Sequence, residues 1–286
     1  MAGEITRVGV VGLGTMGAGI AQVCAQAGFE TVGVEVTDEL GAKARERIGY
    51  YLGRSVEKER ITAEERDAAL ARLTTTTARA DLARCDLVIE AIVEDLGAKR
   101  ELVRELDGIL EPDAIVATNT SALSVTEIAR ASAHPERVVG MHFFNPAPVL
   151  PLVEVVRTEL AAEEPYERAY AFAAALGKEP VRCSDTPGFI VNRILIPLLN
   201  DCVRVLDEAG VSPEDLDRAM RFGAGWPIGP CALVDLIGVD IHVHASEALH
   251  AALGEARMAP PERLVRMQAE GKLGRKTGEG FFTYES

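Results

Sequence analysis

The sequence predicts an α/β protein, a doubly wound and mostly parallel sheet that carries a helical insertion and is followed by an all-α carboxyl-terminal domain. Three observations carry that prediction. A short apolar run at residues 7–11 passes through a glycine-rich turn into an apolar helical stretch and then a second run at 31–36, the β-α-β unit of parallel sheets. Further strand-like runs recur as far as residue 182. Beyond residue 186 the pattern becomes long helical segments with no further convincing strand.

In chain order, RVGVV at 7–11 reads as a buried strand, and GAGIAQVCAQAG as a helix ended by Gly28. Residues 31–36 form the second strand. From Asp38 to about Arg72 the chain is strongly charged at helical spacing, with a TAEE start at Thr62, which predicts two exposed helices inserted between strands. Strands follow at 87–91, 114–118, 138–142 and 152–156, then a helix at 165–176 and a short strand at 180–182. The Asp185-Thr186-Pro187-Gly188 break sets the boundary: residues 1–185 form the sheet domain, and 186–286, opening with FIVNRILIPLLNDCVRVLDEAG, a helical domain.

A chain of 286 residues normally divides into two cores, and 48% hydrophobic residues supply both. With 30 Lys and Arg against 44 Asp and Glu, the net charge of -14 repels a phosphate backbone and argues against nucleic acid as a partner. An anionic cofactor or substrate then binds only where local amides or a few cations override the global field. Cys24, Cys85, Cys183, Cys202 and Cys231 form no CxxC pair and no metal-ligand spacing with histidine, so neither a metal site nor a disulfide framework is expected, and the protein reads as reduced and cytoplasmic. MAGEITRVGVVGLG lacks the features of a secretory signal, and no stretch approaches the roughly 20 apolar residues of a membrane span.

Gly12-Leu13-Gly14-Thr15-Met16-Gly17 is a GxGxxG set directly between a strand and a helix, the context that makes it the fingerprint of a Rossmann-type dinucleotide-binding domain. Gly12 permits the tight turn, Gly14 lets the backbone approach a pyrophosphate, and Gly17 lets the helix pack on the sheet, while the helix-start amides face the phosphates. Glu35, at the end of the second strand, suits the ribose hydroxyls of NAD and repels the extra phosphate of NADP. NAD is therefore the expected cofactor.

Substrate chemistry must come from polar residues at the ends of later strands, in NTSALS (119–124), MHFFNPAPV (141–149), PLVEVV (151–156) and DTPGFIVNR (185–193). Oxidising an alcohol calls for a base near neutrality at the hydroxyl. His142 ends a strand, and Glu154 on the next one suits its other ring N–H. On residue type alone His142 also reads as a buried structural histidine, Ser121 as a helix N-cap and Asn192 as an amide bonded to backbone.

Together these segments resemble the L-3-hydroxyacyl-CoA dehydrogenase family, most closely its short-chain 3-hydroxybutyryl-CoA members. The resemblance runs through GLGTMGAGIAQ, DLVIEAIVE, NTSALS, GMHFFNPAPV, LVEVV, DTPGFIVNRIL, GAGWPIGP and GRKTGEGFF. It implies His142 as the acid-base residue, Glu154 as its orienting carboxylate, and Ser121 and Asn192 as donors to substrate oxygens, with Ser121 also near the cofactor. It further implies cofactor contacts from Glu94, Lys99 and Lys276, which otherwise read as solvated charges, and a CoA contact from Lys58. An acyl-CoA thioester is the implied partner and a homodimer the implied assembly. Tyr51 and Pro151 depart from the family's Ser and Lys and keep open an acyl carrier protein thioester as the alternative substrate, while Trp226, Ile228 and Cys231 alter the GAGWPIGPC loop. A non-catalytic NAD-binding relative would be expected to lose part of the His142, Glu154, Ser121 and Asn192 set; all four are present.

Overall fold

Eight strands form one sheet in the amino-terminal part of the computed structural model, which describes residues 4–284. They are β1 (Arg7–Val11), β2 (Glu30–Val34), β3 (Leu73–Thr76), β4 (Leu87–Glu90), β5 (Ile115–Thr118), β6 (Val138–Phe143), β7 (Leu152–Arg157) and β8 (Glu179–Ser184). The order across the sheet is β3-β2-β1-β4-β5-β6-β7-β8. β3 to β6 run parallel, β7 pairs antiparallel with β6, and β8 pairs parallel with β7. The chain order reverses beside β1, and in open sheets of this kind ligands bind at the carboxyl ends of the strands at such a switch point.

The helices of this unit are α1 (Thr15–Gln26), α2 (Asp38–Glu57), α3 (Ala63–Arg72), α4 (Leu96–Asp107), α5 (Val125–Ala129) and α6 (Glu163–Ala175). Alternation along each strand sends side chains to opposite faces. Leu87, Ile89, Ile115 and Met141 pack with α1, α2, α3 and α6 on one face, and Val88, Val116 and Val138 with α4 and α5 on the other. Both faces are covered, as parallel sheets require. The insertion forms as the two expected helices, and Thr62 and Glu65 close a reciprocal capping box at the start of α3.

Two elements carry no clear sequence signal. β3 is LTTT at the sheet edge, where one buried leucine suffices. α4 hides its buried Leu102, Val103 and Leu106 among charges. The second strand also stops at Val34, which leaves Glu35 just beyond it.

The chain divides into two compact units between Thr186 and Pro187. The second contains α7 (Val191–Ala209), α8 (Pro213–Gly223), α9 (Pro230–Ile237), α10 (Val239–Leu253) and α11 (Glu262–Ala269). Leu199 and Val203 of α7 pack with Val234, Val239, Val243 and Leu264 in its core. No helix among the described residues is long and apolar enough to cross a membrane.

His242 is completely buried in this unit, with Nε2 2.8 Å from Asn200 Oδ1. Burial pushes its imidazole down from 6.5 to about 4. Between those values the unfolded chain takes up a proton that the folded chain refuses, so stability present above pH 6.5 is lost as the pH falls toward 4. Denaturation measured at about pH 7 and about pH 5 should cost the wild type about 2 kcal/mol more than it costs His242→Gln. Equal losses in the two proteins would rule this histidine out as the cause.

Candidate active site

The glycine turn is shaped from both sides. Gly12 sits at φ +85°, and a Cβ there would lie 2.8 Å from the Ala91 carbonyl oxygen; a Cβ on Gly17 would lie 1.7 Å from that of Gly12. These two glycines are required by the chain itself. Gly14 differs, since a Cβ there would meet nothing within 4 Å. The open space over a bare backbone at the start of α1, where Thr15 and Met16 begin the helix, is what a dinucleotide pyrophosphate needs. Glu35 accepts from Leu13 N at 2.7 Å and Val36 N at 3.0 Å, which sets its carboxylate beside the loop. These residues fit NAD, whose ribose hydroxyls Glu35 would hold.

His142 and Glu154 are register partners across the antiparallel β6–β7 pair. Opposed side chains on such strands share one face and lie within contact distance. His142 Nδ1 is 2.7 Å from Glu154 Oε2, and both residues are buried. A carboxylate only accepts, so the Nδ1 proton donates to Glu154 and the Nε2 lone pair accepts from the Ser121 hydroxyl, 3.1 Å away. The N-cap of α5 is Ser124, whose hydroxyl accepts from Glu127 N and donates to Asp185. Ser121 is thus not committed to capping. Asn119 Oδ1 accepts from Phe143 N at 2.9 Å and ties the Ser121 loop to the end of β6.

A second polar chain supports Ser121 from below. Glu94 accepts from Thr120 Oγ1 at 2.5 Å, Ser121 N at 2.9 Å and Ala122 N at 3.2 Å. Burial pushes this carboxyl up, but Lys99 and these three donors outweigh it and hold the group below its ordinary value. Lys99 Nζ stands 3.3 Å from Glu94 and 2.8 Å from each oxygen of Glu90. The lysine side chain is 1% exposed and that of Glu90 0%, so Lys99 is a buried ion-pair partner and not the solvated charge that residue type suggests. Glu90 also accepts from Thr118. The sequence held one clue to Glu90, an acid closing an apolar strand run, LVIE.

Residues 7–186 match the family model described as 3-hydroxyacyl-CoA dehydrogenase, NAD binding domain, and 188–284 match the 3-hydroxyacyl-CoA dehydrogenase C-terminal domain. The chain belongs to the 3-hydroxyacyl-CoA dehydrogenase family. It is 45% identical to the 3-hydroxybutyryl-CoA dehydrogenase of Mycobacterium tuberculosis over 99% of this chain and 100% of that one. It is 41% identical to the mitochondrial hydroxyacyl-coenzyme A dehydrogenase of Homo sapiens, covering 98% and 92%. The crystal structure of (S)-3-hydroxybutyryl-CoA dehydrogenase from Ralstonia eutropha superposes with a TM-score of 0.95 at 40% identity, covering 99% and 100%. The family is NAD-dependent, and the amino-terminal unit is its NAD-binding domain.

Within this family member, Lys58 caps the end of α2 and lines a cavity of about 550 Å³ in the first unit, together with Arg47, Arg54 and Arg60. No described acidic residue lines it, and Tyr51, Ile48, Ile61 and Pro148 add apolar surface. Sequence reasoning singled out Lys58 but missed the three arginines, which a charged helix does not distinguish from solvated ones. In the second unit, Asn192 stands in the first turn of α7, and Lys276 pairs with Asp240 at 2.5 Å.

Lys99→Met would strand the Glu90 carboxylate without its partner in a dry site. Its expected cost is about 3–5 kcal/mol of folding stability, measured by denaturant unfolding; a loss under about 1 kcal/mol would mean that water reaches Glu90 and the pair is not a buried one.

Proposed function

We propose that this protein interconverts a 3-hydroxyacyl-CoA, foremost 3-hydroxybutyryl-CoA, and the corresponding 3-ketoacyl-CoA. One observation carries the proposal: His142 Nδ1 is held by Glu154, so Nε2 points its lone pair at the oxygen of Ser121. A substrate hydroxyl meeting Nε2 would surrender its proton there while the hydride leaves C3. Bound NAD supplies the hydride acceptor. Glu154 stabilises the imidazolium that forms, and Ser121 donates to the same substrate oxygen once its hydroxyl turns toward it. In the reductive direction the imidazolium returns the proton to the oxygen. Asn192 is assigned as a second donor from the carboxyl-terminal unit, and Glu94 and Lys276 as cofactor contacts; Lys99, expected to touch the cofactor directly, is buried at 1% exposure and acts on that site through its ion pair with Glu94.

The basic cavity favours CoA over acyl carrier protein. Adenosine with a 3′-phosphate and a pyrophosphate is a polyanion that Lys58 and its arginine neighbours suit, and the ring of Tyr51 offers the adenine a stacking face. The arm of a carrier protein ends in one phosphodiester and has no such nucleotide to place. Relatives named as 3-hydroxybutyryl-CoA dehydrogenases support the short acyl chain. The proposal includes a cytoplasmic location, which suits five free thiols, and a homodimer paired through the helical unit, to be checked by light scattering.

Acetoacetyl-CoA with NADH should be turned over, read as loss of NADH absorbance. His142→Ala is expected to lower kcat about 10³-fold while NADH affinity stays within about twofold; joint loss of both would mark a structural histidine. Lys58→Ala should raise the KM for acetoacetyl-CoA about tenfold at similar kcat. A preference for the matching carrier-protein thioester over the CoA thioester would overturn the assignment of the carrier.

A further inference from the structure

Arg47 occupies a position that neither the glycine motif nor the cavity explains alone. It projects from α2, and its Nη2 donates to the carbonyl oxygens of Leu13 at 2.9 Å and Gly14 at 2.8 Å. Each of these carbonyls shares a planar trans peptide with the next residue's N–H, so the two ends of the unit point in opposite directions. Holding Leu13 C=O and Gly14 C=O therefore aims the N–H groups of Gly14 and Thr15 the other way. Both amides belong to the turn at Gly14, where a Cβ would meet nothing within 4 Å.

Arg47 is also among the residues that line the basic cavity, with Lys58, Arg54 and Arg60. Guanidinium carries five N–H donors, and one nitrogen is engaged with the two carbonyls, which leaves Nε and Nη1. Among the described residues Arg47 has no carboxylate partner, whereas Arg54 is paired with Glu57. One side chain thus touches the backbone of the dinucleotide loop on one side and a cationic cavity on the other.

We propose that Arg47 is a positioning residue shared by the two sites, and that it couples them. A dinucleotide on the loop fixes the peptide planes that Arg47 braces, and a phosphate in the cavity fixes the same guanidinium. Whichever ligand binds first bears the cost of fixing the freedom that the two hydrogen bonds leave to this side chain and to the turn, so the second binds more tightly, and the effect is reciprocal. Because the cavity ligand is taken to be the nucleotide end of CoA, the inference rests on the proposed substrate.

The test uses the full-length protein, NADH, and adenosine 3′,5′-bisphosphate as a probe that carries no acyl group. Calorimetric titration of the bisphosphate, with and without saturating NADH, gives the coupling factor directly. The wild type should bind the probe about fivefold more tightly with NADH present, and NADH should tighten by the same factor with the probe present. In Arg47→Met that factor should fall to about one, with NADH alone bound more weakly. Arg47→Lys keeps the charge but loses the fork, so it should bind the probe yet show no coupling. Unchanged melting temperatures of the ligand-free variants would separate coupling from unfolding. Bisphosphate binding with a factor of one in the wild type, a weakening by NADH, or undiminished coupling in Arg47→Met would overturn the proposal alone. Failure of the bisphosphate to bind the wild type at all would overturn the CoA reading of the cavity as well.

Discussion

An imidazole can act as a base at one nitrogen only if something keeps the proton on the other. Here that constraint is met by strand register: β6 and β7 run antiparallel with His142 opposite Glu154. A slip of one residue would turn one of the two side chains to the opposite face and separate them. The reversal of chain direction between β6 and β7, which β8 then follows, is what makes the pairing available. The Ser121 loop and the Glu94 bracket that supports it are arranged around the other ring nitrogen, Nε2.

The buried charges beneath that loop make sense in the same terms. Taking Lys99 and Glu90 out of water is costly, and an apolar pair of similar volume commonly stabilises a core at least as well. What an apolar pair cannot do is hold Glu94 anionic at a half-exposed position, where it gathers the amides of Ser121 and Ala122 and the hydroxyl of Thr120. Lys99 lies between the two carboxylates, one dry and one near solvent. The chain from Thr118 through Glu90, Lys99 and Glu94 to Ser121 therefore carries order from the sheet to the atom facing His142.

What could be read in the sequence divides along the range of the interactions involved. The first β-α-β unit was legible because its signals are local: apolar runs, and glycines at fixed offsets that the turn geometry demands. The capping box at Thr62 is local in the same sense. β3 was not legible, because an edge strand with one buried leucine has no period to detect. Lys99 and Arg47 were not legible as what they are, because a cation on a charged helix has the same one-dimensional surroundings whether it faces solvent, a buried acid or a backbone carbonyl. The His142–Glu154 contact lies between these cases. Strand assignment suggested it, but only the register brings the two together, and the family resemblance supplied their roles before any geometry did.

Charge presents a last constraint. A protein with a net charge of -14 that takes two polyanionic ligands faces repulsion from its own surface. At physiological ionic strength that repulsion decays over about 8 Å, so binding is decided by groups within that distance of the phosphates. The first unit supplies two such regions. The glycine turn uses backbone amides, which carry no net charge and need no counterion. The cavity along α2 uses side-chain cations with no acidic residue among its described lining, although the same helix carries Asp38, Glu39, Glu46 and Glu57. One helix thus sorts its charges by position, and Arg47, bonded to the turn and facing the cavity, stands where the two ways of holding a phosphate meet.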